Sequence, residues 1–400
     1  MSAAYVVGTF DTKATELGYI VGQLQTCGVS TTTVDVSLRD VPSPADVSTR
    51  EVAARHPSGA PAVFESDRPS AIEAMGEALR MYLLEAERGE AYVTVCGSTG
   101  SSIVSPAFRA LPFGTPRLMV SPVVSGDVSE HVGASDLTLM HSVADLAGLN
   151  SMTRTILANA AHAVAGMAKW RREEPPNRRV VVGLTSLGVT SACSDVVRSA
   201  LAEHFECITF TATSAGGLGA RDLIERQGLG LFIDICLSDI AKAVISGQDL
   251  NPRRLGSEHR LAAIATTSTP YVVCLGGLDF TVWRGRLPSE YSARTRLDHN
   301  SAIALVRTSV DDCHRIGLHL GDYLNIMPGP VHVLVPDGGL SALDVPGRPF
   351  YDPDANRALF SALESRFENA ADHRLEHVPS AINDPSFAHL VAQSAMQLVR

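Results

Sequence analysis

The feature that most constrains the fold is a repeated order of segments: an apolar run, a turn of small or polar residues, then an amphipathic run. At the start of the chain, Ala3–Val7 is the apolar run, Gly8–Lys13 the turn and Thr15–Cys27 the amphipathic run. Strands that alternate with helices in this way form parallel sheets covered by helices. The order recurs in both halves, so the sequence predicts an α/β fold. We expect two Rossmann-like, doubly wound parallel-sheet domains with a cleft between them.

The length of 400 residues exceeds that of one ordinary domain. The longest helical pattern, Leu149–Trp170, is followed by a charged segment with two prolines, Arg171–Arg178, which is typical of a linker. The predicted domains are therefore residues 1–174 and 179–400.

Composition excludes several classes of function. The net charge of −10 argues against non-specific binding to nucleic acid or to an acidic membrane. The sequence contains no apolar run of about 18 residues and no signal peptide pattern, so we expect no membrane span. The seven cysteines form no C-x-x-C pair, which is typical of reduced thiols in a cytoplasmic protein.

The turn Gly8–Lys13 has the composition of an anion site. Backbone N–H groups and the helix dipole favour anions where a helix begins after a strand. Lys13 would add a cation, and it is one of three lysines against 30 arginines. An ordinary strand-to-helix turn with polar residues explains this stretch equally well.

Two further turns of the first half should lie at the same sheet edge, since ligands of open α/β sheets bind at the carboxyl ends of the strands. They are Gly97–Ser102 and Ser121–Asp127. Gly97–Ser102 offers small residues and hydroxyls to phosphate oxygens, yet it matches neither the Walker spacing nor G-x-G-x-x-G. It could also be a plain tight turn.

Two single residues could complete a nucleotide site in the first half. Asp35 ends the second predicted strand, where an acid contacts the ribose in dinucleotide-binding folds. Capping of the next turn is the alternative role for Asp35. Arg68 precedes a predicted helix and could reach a phosphate, or it could be an ordinary surface arginine.

The second half contains anion-like turns at Thr185–Ser191 and Thr211–Gly217. It also contains a polar series in a region that should otherwise be core, and its members are Asp279, His299, Asn300 and Arg307. Either Asp279 or His299 could be a general base. Alternatively, Asn300 is the N-cap of a helical run, Ile303–Ile316, and His299 is merely its neighbour. The histidine spacings indicate no zinc site.

Motifs distributed over almost the whole chain resemble those of the Tm-one-like ATP-binding family. This family contains bacterial and fungal proteins of unknown activity and the inhibitory N-terminal domain of the tomato mosaic virus resistance protein. The resemblance implies two α/β subdomains, ATP binding in the N-terminal one, and homodimers. The matching segments are Gly8–Lys13, Leu118–Ser121, Ser142–Asn150, Asn159–Ala161, Ala212–Thr213, Gly216–Gly217, His299–Asn300, Arg307–Thr308 and Ile382–Ala388.

The chain departs from the family pattern at several turns. In the first-domain phosphate loop, a glycine of the family is Cys96 and the closing threonine is Ser101. In the second domain, Thr211–Gly217 lacks the family's histidine, and Cys236–Asp239 replaces a run of three threonines and a glutamate. Either the substrate of the second domain differs from that of the relatives, or its catalytic use has lapsed.

With ATP as the implied ligand, the first domain becomes the nucleotide-binding domain and the second the substrate or acceptor side. Mg²⁺ would be held by an acid such as Asp11. The candidate cofactor-binding residues are Thr9, Asp11, Thr12, Lys13, Asp35, Arg68, Gly97, Ser98, Thr99, Gly100, Ser101, Ser125 and Gly126. The candidate substrate-binding residues are Thr185, Thr213, Gly216, Gly217, Asn300 and Arg307, and the candidate catalytic residues are Asp279 and His299.

Three functions are compatible with this pattern. The first is an ATP-dependent enzyme, a transferase or ligase, acting on a small metabolite in the predicted cleft. The second is a non-catalytic ATP-binding protein that regulates or binds a partner. The third is binding of a different phosphorylated ligand.

Overall fold

The computed structural model describes residues 3–85, 89–171, 179–248 and 260–399. The chain divides into two compact units, Met1–Pro175 and Pro176–Arg400. Of the predicted linker, Arg171 belongs to the described part, whereas residues 172–178 lie outside it.

The first unit is built on a five-stranded parallel sheet in the order β2-β1-β3-β4-β5. Its strands are β1 (Ala3–Gly8), β2 (Ser30–Asp35), β3 (Ala91–Val95), β4 (Arg117–Ser121) and β5 (Thr138–His141). Its helices are α1 (Phe10–Thr26), α2 (Thr49–Ala53), α3 (Pro61–Phe64), α4 (Arg68–Glu85), α5 (Ser98–Arg109), α6 (Ser129–Val132) and α7 (Ser151–Lys169).

Helices cover both faces of this first sheet. Apolar side chains of α1 and α7 pack on one face, around Leu17, Ile20 and Leu157. Side chains of α4 and α5 pack on the other face, around Met75 and Phe108. The chain therefore winds in opposite directions from β1, which explains why β1 lies between β2 and β3.

The second unit repeats this plan with six parallel strands in the order β14-β13-β9-β8-β6-β7. These strands are β6 (Val180–Ser186), β7 (Phe205–Thr211), β8 (Leu231–Cys236), β9 (Tyr271–Gly276), β13 (Val331–Pro336) and β14 (His373–Val378). The helices are α8 (Ser191–Leu201), α9 (Ser214–Gln227), α10 (Ser238–Ile245), α11 (Arg260–Ala265), α12 (Val310–Leu324), α13 (Pro353–Arg366) and α14 (Pro385–Leu398). Two parallel sheets flanked by helices confirm the predicted α/β class.

A small antiparallel sheet interrupts the second unit between β9 and α12. Its strands, in the order β10-β12-β11, are β10 (Phe280–Arg284), β11 (Arg296–Asn300) and β12 (Ile303–Arg307). The predicted helix Ile303–Ile316 is therefore wrong in its first part. A short apolar run does not distinguish strand from helix. The helix begins at Val310, after a capping box formed by Ser309 and Asp312.

The same finding overturns the N-cap interpretation of Asn300. Asn300 ends β11, and its Oδ1 accepts a hydrogen bond from the backbone N–H of Ala302 at 2.8 Å. It thus stabilises the turn between two strands. No helix of the described ranges has the length and apolarity needed to cross a membrane.

Helices α12 and α13 pack closely because glycines of α12 face the backbone of α13. A Cβ atom added at Gly317 would lie 2.8 Å from the Cβ of Ala362 and 2.9 Å from the backbone N of Leu363. Contacts this short force the helices apart, and overpacking of this kind costs about 1–3 kcal/mol.

We therefore expect Gly317→Ala to lower the free energy of unfolding by about 1–3 kcal/mol, although alanine is the better helix former. The measurement is denaturant unfolding followed by circular dichroism. Gly22→Ala in α1 is the matched control, because nothing lies within 4 Å of a Cβ added there. It should be neutral or stabilising by up to about 1 kcal/mol. Equal effects of the two variants would contradict the packing argument.

Candidate functional site

The candidate site lies at the carboxyl edge of the first sheet, between β1 and β3. In doubly wound sheets a ligand crevice forms where neighbouring strands send their chains to opposite faces. The turn Gly8–Lys13 follows β1, and the turn Gly97–Ser102 follows β3, which pairs with β1. The two predicted turns thus lie at neighbouring strand ends, the position at which such a crevice is expected.

Asp35 fixes the start of α1. One carboxylate oxygen, Oδ1, accepts hydrogen bonds from the backbone N–H of Phe10 at 3.1 Å, and from the backbone N–H and hydroxyl of Ser37 at 2.9 and 2.5 Å. The other oxygen, Oδ2, is buried and has no hydrogen-bond partner among the described residues. Asp35 is fully buried. In this structure it therefore positions the turn, and its carboxylate is not exposed to the crevice.

Asp11, the predicted metal ligand, is already paired. Its Oδ2 accepts from the Arg39 guanidinium at 3.0 and 3.2 Å, and its backbone N–H donates to the Ser37 hydroxyl oxygen at 3.2 Å. A cation bound to Asp11 would thus compete with Arg39, whose side chain is 68% exposed. The described residues contain no group of three or more His, Cys, Asp or Glu side chains able to hold a metal ion.

The remaining polar residues of this turn also form contacts within the unit. The hydroxyls of Thr9 and Thr12 are 2.9 Å apart. The Lys13 ammonium donates to the backbone carbonyl of Leu146, in the segment that follows β5. Lys13 therefore ties the first turn to the last loop of the same sheet edge.

The first turn of α5 has backbone N–H groups that no capping side chain satisfies. Gly97 occupies the N-cap position and supplies no capping side chain, so the N–H groups of Ser98, Thr99 and Gly100 gain no partner from a cap. The exposed Arg68 guanidinium donates to the Thr99 hydroxyl at 3.1 Å. Uncapped amides, a helix dipole and a guanidinium together favour a phosphate group.

The buried side of this loop is tightly packed. The Ser101 hydroxyl lies 2.9 Å from that of Ser121 and 3.2 Å from the Cys96 sulfur. Burial raises the pKa of the Cys96 thiol, which favours the neutral form. A Cβ added at Gly100 would lie 2.6 Å from the Cβ of Cys96. Cys96 therefore supports the loop from below.

Ser125 and Gly126 follow β4, which lies one strand beyond β3. Ser125 ends a short 3₁₀ helix, Pro122–Ser125, and its hydroxyl donates to the carbonyl of Pro122 at 3.4 Å. Both residues are exposed. They lie at the same carboxyl edge, farther from the β1–β3 crevice than Gly97–Ser102.

The corresponding position of the second unit, the β6–β8 crevice at the carboxyl ends of β6 and β8, is filled by a buried ion-pair network. Arg260 donates to both oxygens of Asp234 at 2.8–3.0 Å and to the carboxylate of Asp239. Thr185, a predicted substrate residue, is buried and donates its hydroxyl to Asp234 at 2.8 Å. The Tyr271 hydroxyl also donates to Asp234, at 2.5 Å. Groups that looked free in the sequence are thus paired.

The predicted turn Thr211–Gly217 borders this network. Thr213 is the N-cap of α9, and its hydroxyl lies 2.8 Å from that of Thr211. Gly216 and Gly217 lie in the first turn of α9, and a Cβ added at Gly217 would lie 3.2 Å from an oxygen of Asp239. The sequence analysis did not identify Asp234, and it named Asp239 only as part of the altered run Cys236–Asp239. Asp239 had a usable signal, because it is an acid in the first turn of a helix that follows a buried strand.

Asp279 and Arg307 are neighbours in a second buried network. Arg307 donates to the backbone carbonyls of Asp279 at 3.0 Å and Phe350 at 2.7 Å, and to the Asn356 side chain at 3.0 Å. The Asp279 carboxyl is fully buried and accepts from the Ser341 hydroxyl at 2.7 Å. Burial and, secondarily, the nearby carboxylate of Asp344 raise the pKa of Asp279 to about 7.

His299 and Asn300 lie far from Asp279. They are exposed in β11, where Asn300 pairs with Ile303, whereas Phe280, next to Asp279, pairs with Arg307. Their partners on β12, Ile303 and Arg307, are four residues apart, so the two positions are separated by about 14 Å along the strand. The structure therefore brings Asp279 and Arg307 together, but not the two predicted general bases.

The close approach of Gly100 to the side chain of Cys96 gives a testable prediction for the loop. Gly100→Ala should displace the first turn of α5 and lower the free energy of unfolding by about 1–3 kcal/mol, because its methyl group meets Cys96. The double variant Cys96→Gly, Gly100→Ala should recover part of this loss. Gly97→Ala adds its methyl to open space, so it should lose only the preference for glycine over alanine at an N-cap, about 0.5–1 kcal/mol. Additive effects of Cys96→Gly and Gly100→Ala in thermal unfolding would contradict the contact.

Comparison with known proteins identifies the family. Residues 2–173 match the model of the N-terminal domain, and residues 179–399 that of the C-terminal domain, of an uncharacterised protein family, UPF0261. A UPF0261 protein of Mesorhizobium japonicum is 39% identical over 98% of both chains. The tomato ToMV resistance protein Tm-1(GCR237) is 31% identical over 98% of this chain and 55% of its own length. This confirms the predicted relationship to the tomato protein: the chain belongs to the UPF0261 family.

Proposed function

We propose that this protein binds ATP at the carboxyl edge of the first sheet and is an ATP-dependent enzyme, a transferase or ligase, acting on a small metabolite. The observation that carries the proposal is the uncapped first turn of α5, with Arg68 hydrogen-bonded above it. The polyphosphate would accept hydrogen bonds from the amides of Ser98–Gly100 and from Arg68. No comparable set of open donors exists at the start of α1, where Asp35 and Ser37 take the first amides.

The other residues of this edge have supporting roles in the proposal. Lys13 supplies a second cation, and Asp11 would hold Mg²⁺ once Arg39 releases it. Arg39 would then be free to contact a phosphate. Asp35 and Ser101 would act from below, by keeping the two turns in place.

Within the second unit, the proposed proton acceptor is Asp279. A general base works best when its pKa lies near the working pH, and the pKa of Asp279 is about 7. Because its carboxyl is fully buried, substrate could reach it only after a local opening. Arg307 would then orient an anionic substrate group, at the cost of some of its present hydrogen bonds.

A non-catalytic role is the second candidate, and a specific observation favours it. The polar groups at the β6–β8 crevice, from Thr185 to Arg260, bind one another. In this alternative, ATP stabilises a homodimer or a surface for a protein partner. A related protein, from tomato, is named as a resistance protein against ToMV.

Thermal unfolding with ATP–Mg²⁺ tests the nucleotide site. ATP at a hundredfold over its dissociation constant should stabilise the first unit by about 2.7 kcal/mol. Arg68→Ala should weaken binding about tenfold or more, since it removes a charge-assisted hydrogen bond to phosphate.

Arg80→Ala is the matched control for Arg68→Ala. Arg80 lies on the same helix, about 18 Å farther along, and pairs with Glu77 at 2.7 Å. Its variant should bind ATP as the parent does. Absence of any shift with ATP–Mg²⁺ would refute the nucleotide proposal, and a shift with another phosphorylated compound would reassign the ligand.

Turnover separates the two candidate roles. If the protein is an enzyme, incubation with ATP–Mg²⁺ and a panel of small acids, alcohols and amines should consume ATP. Asp279→Asn should then lower kcat at least a hundredfold while leaving the ATP-induced thermal shift unchanged. ATP binding without consumption on any acceptor, combined with ATP-dependent dimerisation or partner capture, would favour the regulatory role.

A further inference from the structure

The segment Ser142–Asn150 borders the carboxyl edge of the first sheet. It follows β5, the last strand of that sheet, and its middle part is bound to α1. The Lys13 ammonium donates to the carbonyl of Leu146, and the amide of Gly148 donates to Glu16 Oε1 at 2.7 Å. Because α1 begins directly after β1, the segment passes along the strand ends that lie between β5 and β1.

Val143, near the start of this segment, has a backbone conformation that valine rarely adopts. Its φ is 63°, in the left-handed region, which is an outlier for a β-branched residue. The amide of Ala144 donates to the carbonyl of Ser142 at 2.6 Å, so the three residues form a tight turn around Val143. Strained residues of this kind persist only where surrounding contacts enforce them, and they are concentrated at functional sites.

Ser142 enforces this turn. It is fully buried, its amide donates to the carbonyl of Ser121 at 3.3 Å, and its hydroxyl donates to the carbonyl of Ala144 at 2.6 Å. Val143 itself is 63% exposed. The fold therefore accepts backbone strain at a position where it holds an apolar side chain in water.

The turn after β4 places further apolar groups at this end of the sheet edge. Pro122, Val123 and Val124 are half-buried in the short 3₁₀ helix, which packs against β5. Only β4 separates β3 from β5, and neighbouring strands are about 4.8 Å apart, so the ends of β3 and β5 are about 10 Å apart. A nucleoside attached to a phosphate at the first turn of α5 would span this distance.

The opposite end of the edge, toward β2, is less suited to a base. There the Asp11 carboxylate accepts from the Arg39 guanidinium at 3.0 Å, and the Ser37 hydroxyl donates to Asp35 at 2.5 Å. A base placed on these groups would remove a charged pair from water, which is unfavourable. Burial of valine and proline side chains under a base is favourable instead.

We propose that Val143 and Pro122–Val124 form the surface against which the base and sugar of a nucleotide pack. This inference rests on the proposed function, because it takes the first turn of α5 as the phosphate site. The strained turn keeps Val143 exposed without help from the ligand, so the surface is preformed and binding needs no ordering of the loop.

Calorimetric titration with ATP and with inorganic tripolyphosphate, each with Mg²⁺, separates the two halves of the ligand. Tripolyphosphate offers only phosphate groups, and it carries the greater negative charge. The parent protein should nevertheless bind ATP at least tenfold more tightly, because only ATP contacts the apolar surface.

Two variants of Val143 test the surface itself. Val143→Gly should weaken ATP binding about three- to tenfold and leave tripolyphosphate binding unchanged. It should not lower the unfolding temperature, since glycine adopts positive φ without strain. Val143→Ala retains a Cβ atom and the stiffness of the turn, so a similar selective loss in this variant excludes loosening of the loop as the cause.

Leu84→Ala is the matched control. Leu84 is also an exposed apolar residue, but it lies at the end of α4 that precedes β3, at the amino edge of the sheet. Its variant should bind both compounds as the parent does.

Three results would contradict the inference, and they are distinguishable from one another. Equal affinities of the parent for ATP and tripolyphosphate would overturn the base surface and leave the phosphate site standing. A preference for ATP that is unchanged in Val143→Gly would assign the base to another surface. Absence of binding by both compounds would refute the proposed function, and the base surface with it.

Discussion

The parallel pairing of a central strand on both of its sides is the constraint on which both units depend. β1 pairs with β2 and β3, and β6 pairs with β7 and β8, each time in parallel. Parallel neighbours require crossover connections, and these have one hand. Strands that are added on the two sides of the central strand therefore have their connecting helices on opposite faces of the sheet. In this topology the carboxyl end of the central strand is the position at which ligand crevices form, so both units have the backbone arrangement for one.

The two crevices differ in what their polar groups already bind. In the first unit, a glycine N-cap leaves the amides at the start of α5 without a capping side chain. In the second unit, Arg260 is fully enclosed by Asp234 and Asp239. Removing one partner of such a buried pair typically costs about 3–5 kcal/mol, so these groups are not readily released to a ligand. The same topology thus carries uncapped backbone N–H groups in one unit and a structural ion-pair network in the other.

The sequence was most informative where periodicity and turn chemistry agreed. Strand and helix alternation predicted both sheets, and small residues after β1 and β3 predicted the turns that flank the first crevice. The antiparallel insert was missed because Ile303–Arg307 is a short apolar run whose period is ambiguous. The sequence also did not predict hydrogen bonds and ion pairs between residues that are far apart along the chain. That Asp35 turns inward to Phe10, and that Arg260 reaches Asp234, depends on chain crossings that no local pattern encodes.

The departures from the family pattern that the sequence indicates lie at two structurally different kinds of position. Cys96 lies beneath the loop that carries the open amides, and Gly100 leaves the room that the cysteine side chain fills. This replacement therefore changes the support of the loop and leaves its amide face intact. In the second unit, Cys236–Asp239 leads directly into the network, since Asp239 binds Arg260. There one altered residue, Asp239, is itself a charged group of the network, so a change at this position changes the network. In the first unit, by contrast, the altered residue lies below the loop and the backbone N–H groups at the start of α5 keep their positions.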